Sequence, residues 1–434
     1  MIATMTPDRV EPLERHAEWR AADVADASMW THHLTDTEIA ELEAALAFAR
    51  AATDEVLDVG AEHFPLPTFA SVLDEMADEL INGRGFHRIC GLPVDRLGFD
   101  DASWIYWGIG MHLGIPWAQN ARGHLLGDVK DAGKSPDDPN IRGYEMGGSA
   151  LGFHSDGSDL VGLLCLDPGI AGGESLISNA LLCHNLLAES DPELAAVLYE
   201  GLPYDYRGEQ PDGGRPYYHV PAFTRHGDRL FIRYIPQFVL ASQRHDTTPR
   251  LTEMQLAAMK AYSALVDDPE HWVEMRFQPG DMQFVNNYHV LHGRREYEDD
   301  PEHGQVRWLK RLWLATDTLA QRTALSDSNQ LVRCRTGRRR EPRHSCGRCR
   351  TTSFGRHRWR RVGARLGLLF NRVASPASSH PFASLQRDRS QGGVSVAVCA
   401  GPHRGGGCRH HCGVVRFSGR CAPQRRVVSL HGCR

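Results

Sequence analysis

The stretch FQPGDMQFVNNYHVLHGR, residues 277–294, decides how this chain reads. Pro279-Gly280-Asp281 is a turn signal, and it feeds the apolar run Met282 to Asn286, which reads as a buried strand. Two histidines follow, His289 and His292, just before Gly293-Arg294. In a strand pattern only one of the two can face a common point. With 23 histidines in the chain, either could be a solvated loop residue, so the rest of the sequence must decide.

Upstream by 136 residues lies His154-Ser155-Asp156. Residues i and i+2 of an extended segment project to one face, so this imidazole and carboxylate converge. A neutral nitrogen and an anionic oxygen donor suit a borderline divalent metal. An HxD triplet alone is equally at home in a surface loop. With His292 it makes two histidines and one carboxylate, a facial set that leaves coordination positions open and marks non-haem Fe(II) oxygenases.

Downstream runs Arg307-Trp308-Leu309-Lys310-Arg311-Leu312-Trp313-Leu314-Ala315. Arg307, Leu309, Arg311 and Trp313 share one strand face, and Trp308, Leu312 and Leu314 the other. Two arginines turned into a barrel need an anionic partner, because an unpaired buried charge is costly. An exposed edge strand with basic residues on its solvent face is the competing reading.

Outward from these segments the pattern is mostly β with flanking helices. Thr35-Asp36-Thr37-Glu38 is a capping box opening a helix, and a second helix is expected over Pro67–Leu80, ending at Asn82-Gly83. Further helices are expected over Ala102–Leu113, Asp191–Tyr199 and Thr252–Leu265. Strands are expected over Gly85–Gly91, Leu160–Leu166, Gly172–Ile177 (as its neighbour), Leu230–Ile235, Trp272–Phe277 and Val306–Ala315. Many strands with few helices between them suit a double-stranded β-helix, or jelly roll, rather than an α/β sheet. Residues 123–150 form a long connection rich in Gly, Pro, Asp and Asn, placed to act as a lid.

Composition divides the chain. The net charge of −5 over 434 residues hides +21 on residues 331–434, which hold 23 Arg, no Lys and two acids, against −26 on residues 1–330. Residues 331–434 also lack Ile, Met and Tyr and hold eight of the eleven cysteines. Such a segment is not expected to bury a core of its own, and it reads as a disordered or frameshift-derived tail. Its CGRC and CRHHC motifs suit zinc and its arginines suit nucleic acid phosphates, but neither signal is ordered by repeat, heptad or aromatic interleaving. The expected organisation is a helical extension over 1–79, a jelly-roll domain over 80–325 and the tail over 326–434. No apolar run is long enough to cross a membrane and no secretory signal is read at the N-terminus, so a cytoplasmic enzyme is expected.

Four stretches together resemble the TauD/TfdA family of Fe(II)/2-oxoglutarate dioxygenases over roughly residues 80–316. They are GRGFHRICGLP (83–93), RGYEMGGSALGFHSDGSDLVGLLCLDPGIAGGESLIS (142–178), residues 277–294 above, and RWLKRLWLA (307–315). The resemblance implies His154, Asp156 and His292 as iron ligands, with O2 as oxidant and 2-oxoglutarate as co-substrate. Arg307 would hold the far carboxylate of 2-oxoglutarate, and Ser175 would hydrogen-bond the same molecule. Arg311 matches a position that approaches an anionic part of the substrate or supports Arg307. His289 would lie outside the ligand set. Ala150 stands where taurine-cleaving members carry Asn, which argues against a sulfonate, and Asp156 stands where halogenases carry a small residue, which argues against halogenation. The implied reaction is oxidation, foremost hydroxylation, of a small-molecule C–H bond with release of succinate and CO2. The rivals are a jelly-roll binding protein without turnover and a nucleic-acid-associated protein acting through its tail.

Overall fold

A computed structural model describes residues 10–13 and 17–319, apart from 136 and 228. The expected tail, with its Cys and Arg motifs, lies outside the described residues.

The first helix, Asp36–Ala52, opens as its capping box requires: Glu38 N–H donates to Thr35 Oγ1 at 3.3 Å and Thr35 N–H donates back to the Glu38 carboxylate at 2.8 Å. Such a cap stabilises a helix by roughly 1 kcal/mol. The second helix, Ala70–Asn82, starts three residues later than expected. Thr68 and Phe69 N–H groups donate to Glu41 of the first helix, so a carboxylate distant in sequence serves the helix start. The third, Val94–Leu113, begins eight residues early and kinks at Gly98, where φ is +80°.

Two sheets face each other. The larger runs in the order Thr31–His33, Phe86–Cys90, Met282–Asn286, Leu160–Asp167, Trp308–Ala315, Ile115–Pro116, with Leu126–Val129 also paired to Trp308–Ala315. Part of the expected 123–150 connection is therefore an edge strand. The smaller sheet runs Trp272–Met275, Ser175–Asn179, Val290–Arg294, Leu151–His154. Here the expectation for Gly172–Ile177 is corrected: Ser175–Asn179 is not a neighbour of Leu160–Asp167 but lies in the other sheet. The reason is the Gly172-Gly173 pair, both at φ +72°, which carries the chain across.

The period of two sorts the strands' residues. Leu312, Leu314, Leu164 and Phe284 pack outward against the three helices in the main core, where Leu42, Leu73 and Trp107 also lie. The helices before residue 79 thus share one core with the sheet. Val161, Val285, Ile177, Val290 and Trp313 pack between the sheets. Each fully buried side chain of this size contributes roughly 1.5–3 kcal/mol. Helix Ala180–Ser190, which the sequence reading lacks, is apolar nearly all round and buries eight residues, so it shows no amphipathic period; Asn179 caps it by accepting from Leu182 N–H. Among the described residues, no helix is long and apolar enough to cross a membrane.

Candidate active site

His154 ends one strand of the smaller sheet and His292 lies in its neighbour, Val290–Arg294. The two are direct cross-strand partners, with ring centroids 4.4 Å apart. A register shift follows between His292 and Arg294, where a Cβ on Gly293 would come 2.9 Å from the Leu151 carbonyl. Only glycine lets the two backbones approach this closely. Asp156 lies just beyond the strand and is fixed by its backbone: its N–H donates to Asn287 Oδ1 at 3.1 Å, while Asn287 Nδ2 donates to the Ser158 carbonyl. One ligand atom from each of His154, Asp156 and His292 lies within 4.8 Å of the others.

The donor atoms suit a divalent metal. His154 Nδ1 lies 2.9 Å from the Gly152 carbonyl, which fixes Nδ1 as the N–H donor and leaves Nε2 with a free lone pair. His292 Nδ1 is buried without a hydrogen-bond partner, and its Nε2 lies 3.9 Å from Asp156 Oδ2. Burial, then His154, pushes the His292 imidazole down to about 3, so it stays neutral. Burial would raise the Asp156 carboxyl, but Arg311, the two imidazoles and the Trp313 N–H outweigh it and hold it at about 2. Two neutral imidazoles and one carboxylate are the form in which these groups bind Fe(II).

The facing wall is the strand Trp308–Ala315 with Arg307 before it. Arg307, Leu309, Arg311 and Trp313 all line the cavity, as the period-two reading expects. Arg307 is 3% exposed. Its Nη2 donates to the Gly173 carbonyl at 3.2 Å, and no carboxylate of the described residues pairs with its guanidinium. Burial, then the nearby Arg294 charge, lowers it to about 10. A Cβ on Gly173 would meet Arg307 Nε at 2.6 Å, so the second glycine of the turn makes room for the guanidinium.

Arg311 lines the cavity beside Asp156. Its Nη1 donates to Asp156 Oδ2 at 3.2 Å and its Nε to Gln119 Oε1 at 2.8 Å, so it holds the carboxylate of the triad. Trp313 Nε1 donates to the same Asp156 oxygen at 2.9 Å. Ser175 is buried, pairs in register with Arg294 and lines the cavity. His289 stays outside the cluster, its Cβ against Gly85. Ala150 is on the cavity wall.

Sequence reasoning missed Gln119, Asn287 and the bond from Trp313. Gln119 is buried, and its Nε2 also donates to the Arg311 carbonyl at 2.8 Å. Nothing in its local sequence marks it. Arg294 closes the 277–294 motif, and its Nη2 donates to the Met146 and Ser149 carbonyls, tying the end of the 123–150 connection to the strand of His292. The cavity between the walls is about 600 Å³, room for a co-substrate and a small organic molecule.

Comparison with known proteins agrees with this geometry. Residues 49–313 match the family described as taurine catabolism dioxygenase TauD, TfdA family, starting inside the region read as an N-terminal extension. The chain is 32% identical over 307 residues to FR-33289 synthase of Streptomyces rubellomurinus, covering 70% of this chain and 90% of that protein. It is 25% identical to the taurine hydroxylase-like protein SAT17 of Stachybotrys chartarum, covering 67% and 76%. In fold it resembles an asparagine oxygenase (TM-score 0.51, 21% identity, 66% of this chain and 93% of the other) and the non-haem iron oxygenase OrfP (TM-score 0.51, 19% identity, 66% and 94%). The chain belongs to the TauD/TfdA family, and it is a non-haem iron dioxygenase that depends on 2-oxoglutarate.

Proposed function

We propose that His154, Asp156 and His292 hold the iron, and that Arg307 holds the far carboxylate of 2-oxoglutarate while the enzyme hydroxylates a small organic molecule. The observation that carries this reading is the pairing of the two walls: three convergent lone-pair donors face a buried guanidinium that makes no salt bridge among the described residues. Bound iron supplies O2 activation, with one oxygen atom ending in succinate as CO2 leaves and the other in the substrate hydroxyl.

The chain's own residues provide geometry and electrostatics. Arg307 offers a forked donor to a carboxylate, and its Gly173 and Tyr297 contacts aim the fork into the cavity. Ser175, on the smaller sheet opposite Arg294, donates its hydroxyl to the same carboxylate. Arg311 and Trp313 keep Asp156 ionised and fixed in direction. The 143–151 segment, pinned by Arg294 and by the Tyr297 N–H on the Gly148 carbonyl, closes one side of the cavity as a lid.

The test is anaerobic addition of Fe(II) and then 2-oxoglutarate to the full chain, read by the visible charge-transfer band of a chelated keto-acid. The band is expected in the wild type, absent in His292→Ala and weakened in Arg307→Ala. A folded, metal-replete protein without the band would overturn the assignment and favour a binding protein without turnover. Deleting residues 331–434 is expected to leave the band unchanged; its loss would give the tail a role.

A further inference from the structure

The arginines of the cavity differ in what answers their charge. Arg311 is paired with Asp156 at 3.2 Å and Arg142 with Glu209 at 2.7 Å. Arg294 is spent on two backbone carbonyls, Arg207 donates to the Pro139 carbonyl at 2.7 Å with the Asp205 charge nearby, and Arg307 is assigned above to the co-substrate. Arg233 stands apart. It is 7% exposed, its Nη2 donates to the Tyr218 hydroxyl at 3.3 Å, its Nε has no partner, and no carboxylate of the described residues pairs with it. A buried guanidinium in that condition is costly unless an anion enters beside it.

Its position is built. The Arg233 N–H donates to the Ala222 carbonyl and the Arg233 carbonyl accepts from the Tyr204 hydroxyl, both at 2.8 Å. Tyr218 is held between Tyr204 and Tyr206, at ring distances of 5.6 and 4.6 Å, so its hydroxyl is fixed as well. The next residue, Tyr234, exchanges two hydrogen bonds with Ser155, at 2.9 and 3.0 Å. Ser155 lies between His154 and Asp156, so Arg233 is anchored to the same short segment that carries two of the three metal donors. Both Arg233 and Tyr218 line the cavity.

We propose that Arg233 and the Tyr218 hydroxyl bind an oxyanion carried by the organic substrate, so that this enzyme acts on an anionic small molecule held by its acid group beside the iron. The proposal rests on the iron-site assignment above. Arg307 and Arg233 then divide the work: one guanidinium takes the acid group of the co-substrate and the other that of the substrate.

The test uses the anaerobic Fe(II) protein with saturating 2-oxoglutarate, which occupies the Arg307 site, and calorimetric titration with inorganic phosphate, inorganic sulfate and propionate. At least one of the three is expected to bind saturably, and which one distinguishes a phosphorylated, sulfated or carboxylic substrate. Arg233→Gln is expected to weaken that binding about tenfold or more while keeping the charge-transfer band, and Arg233→Lys to recover part of it. Tyr218→Phe, which keeps the stacked ring, is expected to weaken it about threefold and serves should Arg233→Gln fail to fold. Binding that is equal in wild type and both variants, or no anion binding by a wild type that shows the band, overturns the proposal. Absence of the band in the wild type would instead overturn the iron-site assignment itself.

Discussion

The two walls of the cavity use one strand period to opposite chemical ends. On the four-stranded wall, His154 and His292 face each other across a strand pair and present lone pairs. On the seven-stranded wall, Arg307, Arg311 and Trp313 alternate inward and present N–H donors. The first wall thus offers groups suited to a cation and the second groups suited to anions, and Asp156 is where they meet: it faces the imidazoles and accepts from Arg311 and Trp313. The contrast separates cofactor binding into two parts that substitutions can address one at a time.

The sharpest break is on the donor wall. His292→Ala removes one of the three proposed ligands, and substrate-independent succinate formation is expected to fall on the order of a thousandfold, with loss of Fe(II) binding. Arg307→Met, on the other wall, is expected to weaken 2-oxoglutarate about a hundredfold through lost charge-assisted hydrogen bonds. Fe(II) affinity without co-substrate should then be unchanged. Should Arg307→Met lose iron as severely as His292→Ala, the two walls do not act separately and the comparison fails. At the junction, Trp313→Phe keeps an aromatic ring between the sheets but removes the N–H on Asp156 Oδ2. Metal affinity is expected to drop about tenfold, measured by competition with a chelator, because the partner that orients a ligand is lost. No change would mean that Arg311 alone orients the carboxylate.

How much of this was legible follows from the range of each interaction. The HxD triplet, the histidine before Gly293-Arg294 and the alternation from Arg307 to Trp313 are local patterns, and each lands where its period puts it. The strand Ser175–Asn179 was placed in the wrong sheet because sequence proximity to Leu160–Asp167 does not reveal that two positive-φ glycines move the chain across. Gln119 was invisible for a different reason: its importance is a bond to Arg311, 192 residues away. Arg311 shows the same effect in reverse, since its strand face was read and its partner was not.

The histidines give the comparison its finest test, since burial alone does not make a ligand. His184 is fully buried, but one ring nitrogen lies 2.9 Å from Asn185 Oδ1 and the other 2.8 Å from the Tyr199 hydroxyl, so both are consumed by the protein. His154 and His292 each keep a nitrogen free. Burial pushes the His184 imidazole down to about 4, against the Asn185 hydrogen bond that favours the charged form. The unfolded chain takes up this proton near pH 6.5 and the folded protein only near 4, so the unfolded state binds more protons between those values. His184 therefore contributes stability that is fully present above about pH 6.5 and is lost as pH falls toward 4, at up to about 1.4 kcal/mol per pH unit. His87, also lowered to about 4 by burial and then by His32 and Arg84, acts in the same sense. His184→Gln is expected to lower the melting temperature at pH 7.5 by a few degrees but to reduce the further loss on going to pH 5, with the Fe(II)·2-oxoglutarate band retained at pH 7.5. An unchanged pH slope would remove His184 from the acid response, and a lost band in folded protein would mean that this histidine is coupled to the metal wall after all.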